Sequence, residues 1–337
     1  MSDAAPASSA PAGAVPRPSP FDLVRDALRR VEAQFLEDTV STVSGITEIG
    51  QYLHAGGGKR VRPALVLLAA ALCGVEGPGV IALATVVEMI HAATLIHDDV
   101  IDGAETRRGR PSTNFRWGTQ KCVLAGDWLY MQAFKVALQL RHFGILDELI
   151  TLTQAMVEGE LLQQEMTGRV VTREQHLELI ERKTARLFSV SCKLAAMLGG
   201  LGDDIIARLG AYGHHLGLAF QMVDDLLDLT ASAAQLGKPV GNDLREGKMT
   251  LACLDAYAAA SAEGRAHFEC VLRERGYRSV AFDEIQALLA ASGALTRARL
   301  EARQHAERAR ELILLFPPSP YRDALEDLPL LMVERAS

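Results

Sequence analysis

The chain predicts an all-α fold, a single large domain of about ten or more helices, on three observations. Apolar residues recur at three- and four-residue steps almost without interruption from Phe21 onward, which is the period of one helix face. Clusters of glycine and proline cut that pattern into segments. No stretch alternates apolar and polar side chains as a half-buried strand does, and no heptad run or solenoid repeat is visible.

In chain order, residues 1–20 are Ala, Pro, Ser and Gly with almost no large apolar side chain. Such a segment buries too little surface to offset ordering, so a disordered tail is expected, followed by one catalytic domain over 21–337. FDLVRDALRRVEAQFLEDTV opens the helical pattern, giving helices over 21–43, 60–73, 78–102, 117–142, 145–167 and 172–199. Further helices are expected over 203–232, 248–260, 263–275, 282–315 and 319–334. The breaks fall at GGG (56–58), GVEGPG (74–79), GG (199–200) and PP (317–318).

The length of 337 residues suits one large helical domain, and 49% apolar residues supply a sizeable core. A net charge of -7 argues against nucleic acid as the main partner, because a phosphate backbone needs a clustered basic face. Five scattered cysteines without CxxC or Cys/His metal spacing suggest reduced thiols in a cytoplasmic protein. The N-terminus shows no basic region followed by an apolar one, so no secretory signal is expected. The most apolar run, Gly79 to Ile96, is interrupted by Glu88 and His91 and reads as a buried core helix, not a transmembrane segment.

That run ends in EMIHAATLIHDDVIDGAETRRGR, with carboxylates at Asp98, Asp99 and Asp102 and cations at Arg107, Arg108 and Arg110. Asp98 and Asp102 are i and i+4 and project from one helix face, a place for hard oxygen ligands to hold Mg²⁺. The same spacing returns at Asp224, Asp225 and Asp228. One such pair is most often a solvated helix face; two copies, each ending an apolar helix and each followed by basic residues, are not.

Other cations are spread along the chain. HAGGGKRVRP puts Lys59, Arg60 and Arg62 after three glycines at a helix start, a setting that suits phosphate. It lacks the GxxxxGK[ST] spacing of a nucleotide-binding loop. His91 sits two turns before Asp98, Lys183 and Thr184 lie in ERKTARLFSV, and Lys238 and Lys248 follow the second aspartates. No Ser/His/Asp or Cys/His nucleophile arrangement is present. Six carboxylates with separate cations fit ionisation of a diphosphate ester, in which positive charge must gather around the departing oxygens.

The motifs GGGKRVRP, HAATLIHDDVIDGAETRRGRPSTN, VEGELLQQ, ERKTARLFSV, FQMVDDLLD, GKPVGNDLREGKMT and the terminal LPLLMVERAS, in that order, resemble the all-trans polyprenyl diphosphate synthases, the head-to-tail isoprenoid chain-elongation family. The resemblance runs from about Phe21 to the C-terminus. It implies the isoprenoid synthase fold, helices around a deep central cavity, in a homodimer, with the two aspartate motifs facing across the mouth. By motif, Asp98, Asp99, Asp102, Asp224, Asp225 and Asp228 would hold three Mg²⁺ ions bridged by the substrate diphosphate. Arg107, Lys183, Lys238 and Lys248 would contact an allylic diphosphate such as farnesyl diphosphate. Lys59, Arg62, His91 and Arg108 would bind isopentenyl diphosphate, and Thr184 and Gln221 would lie beside the developing cation. One departure is Ala252, where the family commonly has proline after TL.

Product length is expected from the same helix. Ala93, Ile90 and Val86 form a stripe below Asp98 spanning about 18 Å at 1.5 Å per residue. Ala93 stands where short-chain relatives carry a bulky residue, so a long product of about C40 to C50, as in a quinone side chain, is expected, released with a peripheral membrane contact. The competing wall would be Met131, Phe134 or residues near Leu161. The alternatives are a geranylgeranyl diphosphate synthase, a terpene cyclase, which needs no second basic pocket, and a non-catalytic partner subunit of a heteromeric synthase.

Overall fold

The computed structural model describes residues 19–230 and 240–334. The expected disordered tail, apart from Ser19 and Pro20, lies outside the described residues, as does Lys238. After a short 3-10 turn at Asp22–Val24, the chain is helical: α1 Arg25–Asp38, α2 Ser44–Ala55, α3 Val61–Leu72, α4 Pro78–Ile101, α5 Thr113–Trp117, α6 Thr119–Gln139, α7 Phe143–Met166 and α8 Arg173–Ile180. It continues with α9 Arg186–Leu198, α10 Asp203–Thr230, α11 Asn242–Arg245, α12 Leu251–Ala259, α13 Ala262–Glu274, α14 Phe282–Ser292, α15 Ala294–Leu314 and α16 Pro320–Val333.

α4 is the central helix. It packs against α1, α3, α6 and α9, and Val86, Val87, Met89, Ile90, Ala93 and Ile96 are fully buried along it. By length and composition it could cross a membrane, yet 72% of its apolar window is buried inside the fold. α10, about 42 Å long at 1.5 Å per residue, joins two apolar cores. Leu209, Tyr212 and Leu216 belong to the core around α4, whereas Met222, Leu226 and Leu229 belong to a second core with α12 to α15. α9 approaches α10 so closely that a Cβ on Gly213 would stand 2.8 Å from the Ser189 Cα.

Three local features depart from the sequence expectation. α2 lies where no helix was expected, because its stripe of Ile46, Ile49 and Leu53 is diluted by Gly45 and Gly50. The expected helix over 282–315 breaks at Gly293, whose φ of 68° is the left-handed conformation that ends α14. A two-residue antiparallel ribbon pairs Thr106–Arg107 with Arg110–Pro111. Arg108 and Gly109 turn it with φ of 52° and 72°, the two positive values of a tight hairpin turn.

Candidate active site

The C-terminal end of α4 and the C-terminal half of α10 meet at one cavity of about 530 Å³, lined by Asp98 from the first and Asp224 and Asp225 from the second. Lys183, Thr184, Gln221 and Lys248 line it too. Its apolar wall includes Met156, Leu161, Leu179, Ile180 and Leu187. Lys183 and Thr184 sit in a five-residue π-helical turn, Glu181–Ala185, between α8 and α9. Such widened turns are found at functional sites because they re-aim side chains.

Within this cavity the polar groups form chains. Thr184 Oγ1 donates to Gln221 Oε1 at 2.8 Å, and Gln221 Nε2 donates to Asp225 Oδ1 at 2.8 Å. The other carboxylate oxygen of Asp225 lies 3.4 Å from His176 Nε2. Both of these atoms are buried and make no hydrogen bond. Lys183 Nζ rests on Glu160 at 2.5 Å and donates to Gln163 at 2.8 Å. Lys248 Nζ reaches Asp102, the cap residue of α4, at 3.7 Å and Glu246 at 2.8 Å. Burial pushes the Asp98 carboxyl up to about 6, with Lys183 opposing and Glu160 reinforcing the shift. Burial lowers the Lys248 ammonium, but Asp102 and Glu246 outweigh it and hold the group charged.

A second cavity of about 550 Å³ shares Arg62, His91 and Leu95 with the first. It is basic: Lys59, Arg60, Arg62, Arg107, Arg108 and Arg110 line it against Glu32, Glu88 and Asp99. Arg62 donates to His91 Nε2 at 3.2 Å. An arginine has no acceptor, so that ring nitrogen accepts and the proton of the neutral ring sits on Nδ1. Burial and four neighbouring arginines push the His91 imidazole well down, and burial brings Arg62 to about 10. Arg62 also lies over the Phe188 ring at 5.0 Å.

The six aspartates are not equivalent. Asp99 is 1% exposed, takes Arg107 Nε at 2.6 Å and accepts from the Thr113 hydroxyl at 3.1 Å. It holds the ribbon that carries Arg107 and Arg108, and it lines the basic cavity, not the acidic one. Asp228 is also 1% exposed and accepts from the Asp243 amide at 2.9 Å. Its own carbonyl accepts from the Gly241 amide at 2.7 Å, next to the start of α11. Ala93, Ile90 and Val86 are 0% exposed and line neither cavity. The stripe expected to form a shaft packs into the helix core, and the acidic cavity runs instead toward Tyr130, Val157 and Leu161.

Sequence reasoning missed His176, Glu160, Gln163, Tyr130 and Glu88. Glu160 and Gln163 lie in VEGELLQQ, a motif noticed without a role. His176 is 49 positions before Asp225, and nothing local signals the contact. Ala252 falls in the first turn of α12, after the cap residue Thr250.

Among the described residues no group of three carboxylate, imidazole or thiolate side chains forms a metal cage by itself. The donors facing the acidic cavity are hard oxygens from two helices, and one of them, Asp225 Oδ2, has no hydrogen bond. That donor set fits Mg²⁺, which takes one or two carboxylates and completes its shell with substrate phosphates and water.

A model of the polyprenyl synthetase family matches residues 43–289. The octaprenyl diphosphate synthase of Haemophilus influenzae is 39% identical over 309 residues, covering 91% of this chain and 94% of that protein. The crystal structure of a decaprenyl diphosphate synthase from Rhodobacter capsulatus superposes with a TM-score of 0.90 at 35% identity, covering 94% of this chain and 98% of that one. A polyprenyl synthase from Caulobacter crescentus, solved with calcium and isoprenyl diphosphate, gives a TM-score of 0.89 at 34% identity, over 96% of this chain and all of that one. The matched segment contains both acidic helix ends and the basic loop between α2 and α3, and the chain belongs to the polyprenyl synthetase family.

Proposed function

We propose that this enzyme elongates an allylic diphosphate such as farnesyl diphosphate with successive isopentenyl diphosphate units, to a trans product of about C40 to C50. The observation that carries the reading is the pair of adjoining cavities, one acidic and one basic, that share Arg62, His91 and Leu95. Two anionic substrates can bind side by side there, each with its own counter-charge.

In the acidic cavity Asp98, Asp224 and Asp225, with Asp102 at the rim, would hold Mg²⁺ against the allylic diphosphate. Bound there, Mg²⁺ neutralises charge on the departing oxygens. Lys183 and Lys248 add fixed positive charge, and an arriving diphosphate competes with Glu160 for Lys183; Arg107, expected beside the allylic diphosphate, lines the basic cavity instead, on Asp99. The allylic C–O bond breaks and diphosphate carries off its electron pair. The isopentenyl double bond attacks the allylic carbon, and the resulting cation loses a proton to a diphosphate oxygen. The Thr184 and Gln221 oxygens, 2.8 Å apart on the cavity wall, would face the developing cation, while the apolar Met156, Leu161 and Leu179 would keep water away. In the basic cavity Lys59, Arg62, Arg108 and the neutral His91 would bind isopentenyl diphosphate.

The functional unit in this reading is a homodimer. Leu124, Met131 and Leu138 on α6, and Phe143, Ile150 and Val157 on α7, are exposed at seven-residue steps. A second copy would cover this apolar face. It would also close the cavity wall at Val157 and Leu161, which belong to both. All five cysteines are free thiols, in keeping with a reducing cytoplasm.

Incubating the purified protein with labelled isopentenyl diphosphate, farnesyl diphosphate and Mg²⁺, then resolving products by length, tests this reading. Label in C40 to C50 products is expected. A stop at C20 would make it a geranylgeranyl diphosphate synthase, and no incorporation would end the proposal.

A further inference from the structure

We propose that Arg60 and Glu88 are positioning residues for the basic cavity: Arg60 binds no diphosphate but clamps the glycine loop that presents Lys59, and Glu88 anchors the clamp. The inference rests on reading that cavity as the isopentenyl diphosphate site.

Arg60 is the middle cation of Lys59, Arg60 and Arg62, and by residue type alone it should serve phosphate as they do. Its geometry says otherwise. Nε donates to Glu32 Oε1 at 3.3 Å, and one terminal nitrogen donates to Glu88 Oε1 at 2.5 Å. The other terminal nitrogen donates to the His54 carbonyl at 3.2 Å and faces His54 Nδ1 at 3.3 Å. All three guanidinium nitrogens are therefore engaged, by α1, α4 and α2 respectively. The side chain is only 15% exposed.

The backbone carries the same message. Arg60 adopts φ 49° at the start of α3, a left-handed conformation that a side chain of this size rarely takes. It persists only where the surroundings over-determine it, and such residues cluster at functional sites. Arg108, also left-handed at φ 52°, donates from its guanidinium to the Gly57 carbonyl on the other side of the loop. Gly56 to Lys59 is thus strapped from both flanks.

Glu88 lies one turn before His91 on α4, 8% exposed, among Arg60, Arg62 and Arg108. Burial pushes its carboxyl up, and those three arginines pull it back. Without this charge, cations crowded in a low-dielectric site repel one another. With Glu88, Glu32 and Asp99 present, the six lining cations keep a surplus of three, which suits a diphosphate.

The test uses Glu88→Gln, Arg60→Met and their double variant in the full chain, with wild-type incorporation of isopentenyl diphosphate measured first. Each single change is expected to raise KM for isopentenyl diphosphate tenfold or more while KM for farnesyl diphosphate stays within twofold. Titration calorimetry should show the same weakening of isopentenyl diphosphate binding without turnover. The double variant should be no worse than the worse single one, and Arg60→Lys, which can meet only part of the set, should fall between wild type and Arg60→Met. Equal rises in both KM values, or unchanged isopentenyl diphosphate binding in folded Arg60→Met or Arg60→Lys, would overturn the clamp. A wild-type protein without incorporation would instead overturn the functional reading.

Discussion

A carboxylate's surroundings decide what it does, and the six motif aspartates divide on that ground. Asp98, Asp224 and Asp225 face the acidic cavity, Asp102 is linked to Lys248, and Asp99 and Asp228 are spent on the backbone and hydroxyl groups that hold flanking loops. Asp98→Asn and Asp225→Asn should each lower kcat by on the order of 10²-fold or more, the scale for removing a fixed electrostatic group from a reacting centre. Circular dichroism and melting temperature should stay near wild type. Asp99→Asn should instead loosen the ribbon and show as a loss of thermal stability as well as activity. The motif spacing was legible because i and i+4 is local. The Arg60 to Glu88 and His176 to Asp225 contacts were not, since each joins residues far apart in the chain.

Long apolar-periodic helices such as α4, α7 and α10 emerged from the sequence within a few residues of their ends. What periodicity could not give was where two helices part to leave space. The face bearing Ala93, Ile90 and Val86 reads equally as a shaft wall or as packing, and packing is what the fold makes of it. Ala93→Phe should therefore cost about 1 to 3 kcal/mol through overpacking, seen as a lower melting temperature. Leu161→Trp, on the cavity wall, should shorten the product in a chromatographic assay. α10 and α16 are joined by the buried Tyr212 hydroxyl, which donates to the Leu325 carbonyl at 2.7 Å. Tyr212→Phe leaves that carbonyl unpaired and should cost about 1 to 3 kcal/mol in chemical denaturation.

For the molecule as a whole, the all-α architecture and its two acidic helix ends were readable, whereas the division into two cavities and two cores was not, because it depends on how α10 lies against α9 and α15. One acid-sensitive point is His215, whose Nδ1 meets His305 Nδ1 at 3.0 Å across α10 and α15. Burial, then neighbouring cationic groups that include Arg308 and His214, bring both imidazoles down to about 4. A histidine whose folded pKa is depressed stabilises fully above its unfolded value and loses that contribution as pH falls toward the folded one. Melting temperature should drop between about pH 6.5 and 4, and His305→Gln should flatten that drop. At the same scale, Leu124→Glu with Met131→Glu should convert a dimer to a monomer in sedimentation.

The central claim is that two acidic helix ends grip one diphosphate through divalent metal. A crystal structure with Mn²⁺ in place of Mg²⁺ and a non-reacting thio-analogue of farnesyl diphosphate tests it most directly. Anomalous peaks between Asp98 on one side and Asp224 or Asp225 on the other, bridged by the diphosphate, are expected. Metal on one helix alone, or a diphosphate seated away from both, would contradict the account.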